Sequence, residues 1–123
     1  MKTLASAAAT ALVLMMTSAP GATAVTCPRG LQPLGANALA PATSAALAAE
    51  DLKSKPLVVA AALASADPDR GPQARRECGA AVWRRTVVVH IRLLAFSHSA
   101  SLSERVDFVG RFRSGWRVWQ IVH

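Results

Sequence analysis

The chain has 123 residues and a formal net charge of +7, with 52% hydrophobic and 17% charged positions. That is the size of one domain, whose single core is adequate but not generous. No P-loop, dinucleotide fingerprint or helix-turn-helix signature is present, which removes the commonest nucleotide- and DNA-binding classes.

The N-terminus predicts export. Lys2 begins a short positive region, and Leu4 to Met16 form an uncharged, alanine-rich apolar run. Pro20 and Gly21 break it, and Ala22-Thr23-Ala24 offers the small-x-small pattern at which a signal peptide is cleaved. The run is short for a bilayer span, and no twin arginine precedes it. Thr26 stands before Cys27 where lipidation needs a small Gly or Ala, so a cleaved signal at 1–24 is expected, with Val25 as the first mature residue. Cys27 and Cys78 are the two cysteines, and in an oxidising compartment an even pair predicts a disulfide. Closing the loop between them contributes roughly 4 kcal/mol in the chain-entropy picture. Two isolated cysteines lack the paired spacing of a zinc site and form no C-x-x-C; no metal and no cofactor is expected.

Three zones follow. Residues 25–40, with Pro28, Gly30, Pro33 and Gly35, read as an irregular arm tied down at Cys27. Residues 41–66 are alanine-rich and read as helical: one helix from Pro41 to about Ser54, capped at Thr43 or Ser44, then a second short piece after Pro56. Periodicity alone leaves helix and buried strand open for "LVVAAALASA", and the alanines favour helix. Residues 67–80 read as a linker, with turn chemistry through Pro72 and one helical turn, "QARRECG", closed by Gly79.

Residues 82–122 predict a three-stranded antiparallel meander. "TVVVHIRLL" is β-branched and partly alternating. Val87, Val89, Ile91 and Leu93 are expected on the core face with Phe108, Phe112 and Trp119. Val88, His90, Arg92, Arg105, Asp107, Arg111, Arg113 and Trp116 are expected outward. Ser114-Gly115 reads as a two-residue hairpin loop that sets Gly110 opposite Trp119. The fold class is therefore α+β, helical segments packed on a three-stranded meander.

Chemistry is sparse. His90 reads as an outward strand residue and His123 as terminal. His98 lies among Ser97, Ser99, Ser101 and Ser103, yet no nucleophile elbow, positioned acid or oxyanion glycines accompany them. Ser101 with Glu104 fits a local cap. No catalytic residue is assigned. Eleven of the fourteen basic residues are arginine, a bias that alanine-rich, GC-rich coding also produces. On the hairpin, however, Arg92, Arg111, Arg113 and Trp116 form a candidate anionic-ligand face. The expected partners are anionic cell-wall polymer or lipid surfaces, not a specific nucleic acid.

The last 47 residues, "ECGAAVWRRTVVVHIRLLAFSHSASLSERVDFVGRFRSGWRVWQIVH", resemble the ends of small exported proteins of unknown function from GC-rich actinobacteria. The shared elements are the Cys-Gly, the "RTVVV" strand, the "SASLS" segment and the "RVW" end. The resemblance implies export and carries no activity with it. At fold level the helix-plus-meander ending in "GWRVW" is also similar to NTF2-like and cystatin-like α+β domains. The mature chain is short for the former, and the inhibitory glutamine-valine-glycine loop of the latter is missing. Together these features predict a non-enzymatic binding or structural domain of the cell envelope. The second reading is a cavity domain that binds or acts on a small molecule.

Overall fold

A computed structural model describes residues 25–97 and 102–123. The expected signal peptide at 1–24, together with His98, Ser99 and Ser101, lies outside these residues. In chain order the elements are α1 (Leu39–Ala48), β1 (Pro56–Leu63), α2 (Gly71–Trp83), β2 (Val87–Leu93), β3 (Glu104–Phe112) and β4 (Gly115–Val122). Short 3-10 turns lie at Leu52–Ser54 and Ala64–Ala66. The strands form one antiparallel sheet in the order β1-β2-β3-β4.

The fold is α+β as expected, but the sheet has four strands, because the alanine-rich piece after Pro56 is strand β1 and not helix. Pro56 opens it and Lys55 before it takes a left-handed turn, which keeps the preceding helix from running through. Pairing with β2 then decides the conformation: Ala60, Ala61 and Ala62 lie opposite His90, Val89 and Val88. Tertiary pairing outweighs the weak intrinsic preference of alanine. A register shift between Val58 and Ala60 leaves Val59 unpaired on this edge strand.

Helix α1 is shorter than expected and starts earlier. Its N-cap is Ala38, and no side chain caps it. Pro41 sits in the first turn, where a missing N–H costs nothing, while Thr43 and Ser44 are interior. Ala38, Ala42 and Ala46 are buried at helical spacing; small side chains let the helix lie close on the sheet. Helix α2 extends well beyond the single turn expected. Gly79 does end a helical piece, since its φ of 86° is left-handed, and a second piece continues to Trp83.

Both sheet faces are covered. Against α1 pack Val87, Val89, Ile91, Leu93 and Val109, with Trp116 and Val118 at the margin. Against α2 and the turn before it pack Val88, Val106 and Phe108, with Trp83, Trp119 and Val122. This corrects the expected faces. The odd-numbered valines of β2 share a face with Val109 and Trp116, and Phe108 lies on the other side with Val88. Two-sided burial is why β2 runs as consecutive valines instead of alternating cleanly.

The β3–β4 register also differs. Phe112 pairs with Gly115 across Arg113-Ser114, Arg111 with Trp116 and Gly110 with Arg117. A shift between Phe108 and Val109 leaves Trp119 as the extra residue, and its indole packs on Phe108 in a tilted arrangement, ring centroids 5.2 Å apart. Gly110 is therefore not covered by Trp119. Leu31 of the N-terminal arm lies directly over it, and a Cβ at this position would collide with the Leu31 side chain. Gly110→Val is expected to destabilise by about 1–3 kcal/mol through displacement of the arm, read as a lowered thermal midpoint. An unchanged midpoint would mean the arm does not seat there.

Candidate functional site

Three connections hold the N-terminal arm against the hairpin end of the sheet. Cys27 and Cys78 form the expected disulfide, with Cα atoms 5.4 Å apart. The Gln32 backbone N–H donates to the Arg111 carbonyl at 2.7 Å, and the Arg85 guanidinium donates to the Leu31 carbonyl at 2.6 Å. The arm and the hairpin enclose an open groove with Arg29 on one wall and Phe112, Arg117 and Trp119 on the other. It continues past Gly30 towards Arg113 and Ser114. The Arg117 guanidinium lies 4.4 Å over the Phe112 ring, a cation–π contact that holds the charge extended at the surface.

This end of the molecule is arginine without acid. Residues 25–49 and 108–123 contain no Asp or Glu. Arg29, Arg85, Arg111, Arg113 and Arg117 take part in none of the ion pairs among the described residues. Glu77, beside Cys78, accepts a hydrogen bond from Gln73 at 3.2 Å, and Asp107, four residues before Arg111, is engaged by Arg105. The remaining acids lie at residues 50–69 and 104.

Of the four residues expected to form an anionic-ligand face, the structure brings three together. Arg111 and Trp116 are directly paired, and Arg113 sits in the turn beside them. Trp116 is only partly outward, since it packs against the α1 core. Arg92 is elsewhere: it lies opposite Glu104 and pairs with it at 3.5 Å, on the α2 side of the sheet. The outward face expected from alternation is occupied by α1, so the basic feature is an end of the sheet. Sequence reasoning missed Arg29 and Arg85, which reach this end through the disulfide and the α2–β2 junction.

Two further charge clusters were read differently from sequence. Arg105 and Asp107, expected outward, are buried beneath the C-terminal end of α1. Arg105 grips Asp107 through two nitrogens at 2.6 and 3.0 Å and also pairs with Glu50. Burial alone acts to lower the Arg105 pKa, but Asp107 and Glu50 more than offset this and hold it above its ordinary value. Burial pushes the Asp107 carboxyl up, against the pull of Arg105 and aided by the nearby Glu50 charge. One guanidinium is shared by two carboxylates, so the deeper acid carries the strain.

His90, expected as a tolerated outward residue, bonds through Nε2 to Asp67 at 2.6 Å. Asp67 had the look of turn chemistry, and it does accept the backbone N–H groups of Asp69 and Arg70 at 2.9 and 2.8 Å. Burial works to raise its pKa, yet the Arg70 N–H and His90 together bring it below the usual aspartate range. Opposite charges two residues apart on β3 were the sequence signal for the first cluster. Nothing local signals the second, since its partners are 23 positions apart.

Among the described residues no group of three or more His, Cys, Asp or Glu side chains is arranged to hold a metal. No helix among them is long and apolar enough to cross a membrane. Comparison with known proteins gives no match, whether to a family model, to a curated protein or to a solved structure.

Proposed function

We propose that this chain is an exported, disulfide-stapled domain of the cell envelope that binds anionic polymer through its arginine end. The observation that carries the reading is the concentration of Arg29, Arg85, Arg111, Arg113 and Arg117, none in an ion pair among the described residues, where arm and hairpin contribute no acid. Like charges held together on neighbouring strands repel one another, and a partner or counterions must offset that repulsion. A repeating phosphate or carboxylate chain lying along the groove does so at several points at once. The disulfide and the leader-like start of the sequence support a place outside the cytoplasm.

Binding of a teichoic-type polymer should be salt-sensitive, because exposed charges are screened beyond about 8 Å at physiological ionic strength. Arg111→Gln with Arg113→Gln should weaken it about thirtyfold, from roughly 1 kcal/mol for each of the two surface cations. Lys53→Gln with Lys55→Gln removes the same charge from the opposite end and should have little effect. Equal losses from the two double variants would mean that net charge alone is responsible. Tighter binding to anionic vesicles than to the polymer would replace the polymer with a lipid surface.

A further inference from the structure

A cleft of about 300 Å³ opens on the α2 side of the sheet, within the range of small-ligand sites. It is distinct from the arginine end. His90 lines it, with Val59, Ala60 and Val106 as apolar wall and Arg70 and Arg92 as cations; Asp69, Glu104 and His123 also reach it.

Two of these groups are built to meet a ligand. The His90 ring is held by Asp67, whose side chain is only 6% exposed and is itself pinned by two backbone N–H groups. That partner engages Nε2 and leaves Nδ1 without a hydrogen bond among the described residues. A carboxylate behind an imidazole fixes the orientation of the ring, and an oxyanion at Nδ1 would be met by the protonated ring, the form in which both nitrogens donate. The second group is Arg70. One terminal nitrogen donates to Gln73 at 3.0 Å, while its Nε is buried with no partner. A buried guanidinium donor left open costs free energy unless an acceptor fills it. Arg92 is already engaged by Glu104 at the rim and offers less.

The geometry points to a small-ligand site in this cleft. It takes a molecule with one carboxylate or phosphate group on a short apolar body. The oxyanion meets Arg70 and His90, and the body lies against Val59, Ala60 and Val106. Asp69 and Glu104 make the cleft unsuited to a polyanion, which separates this site from the polymer reading above.

The test is calorimetric titration, with NMR observation of the His90 ring nitrogens, on the purified protein using acetate, benzoate and inorganic phosphate. A saturable His90 response is expected, stronger for benzoate than acetate if the ligand is a carboxylate and strongest for phosphate if it is a phosphate. Arg70→Lys keeps the charge but removes the Nε donor, and should weaken binding roughly tenfold or more with an unchanged thermal midpoint. Val59→Trp, at a half-exposed edge position, should block the cleft without unfolding the sheet. The Arg111→Gln, Arg113→Gln variant should bind the small probes as the parent does. No saturable His90 response to any of the three probes would overturn the site. So would unchanged affinity in both cleft variants, or an equal loss in the hairpin variant.

Discussion

Arg105→Met is expected to destabilise the domain by about 3–5 kcal/mol, the usual cost of leaving buried charge without its partner. Arg105 is the cation placed between Asp107, which is fully buried, and Glu50. Methionine fills most of the volume, so the loss is electrostatic and not a cavity. The deficit should depend on pH, with a definite sign. Asp107 already sits above the ordinary aspartate range, and without the guanidinium it would rise further. An acid whose folded pKa is raised takes up a proton on folding, so its contribution falls as pH climbs from the unfolded value through the folded one. The variant should therefore be weakest at neutral pH and recover part of its stability in mild acid. Urea unfolding at the two pH values measures this. A deficit that does not change with pH would mean that packing, not the charge network, is what Arg105 supplies.

Cys27→Ser with Cys78→Ser should cost about 2–5 kcal/mol, a large part of what a domain of this size has to lose. The effect should extend beyond stability. Apart from the disulfide, the arm is held to the hairpin end by two hydrogen bonds, at Leu31 and Gln32, and by the seat of Leu31 on Gly110. Without the disulfide Arg29 leaves the groove, so polymer affinity should fall together with the thermal midpoint. Scanning calorimetry with and without reductant, paired with a polymer titration, separates the two effects. A midpoint that moves while affinity stays fixed would take the arm out of the binding site.

What the sequence made legible follows from how local each signal is. The hairpin was visible in alternation and in the Ser-Gly pair. Its turn is displaced because Gly115, at a φ of 123°, closes the turn from the first position of β4 instead of occupying its centre. β1 was hidden because alanine has little preference of its own, and only β2 makes it a strand. The relation between β2 and β3 could not be read: His90 and Arg92 mark one face of β2, but Phe108 and Val109 on β3 are both apolar and carry no mark of which one shares the face of Val87. The same ambiguity misplaced Arg105 and Asp107, which are buried, with Glu50 reaching Arg105 from just beyond the end of α1. Of the binding residues, Arg111, Arg113 and Trp116 are neighbours in the hairpin and were found together. Arg92 was grouped with them by parity and belongs with Glu104.

The central claim is that the arginine end, and not the overall charge, engages polyanion. Amide chemical-shift mapping during titration with a teichoic-type polymer at physiological salt addresses it residue by residue. Perturbations should concentrate in the arm around Arg29 to Gln32, at Arg85, and in the hairpin from Arg111 to Arg117, while Lys53, Lys55 and the strand around His90 stay unmoved. Shifts spread evenly over every basic residue, or centred on the cleft at Arg70 and His90, would contradict it.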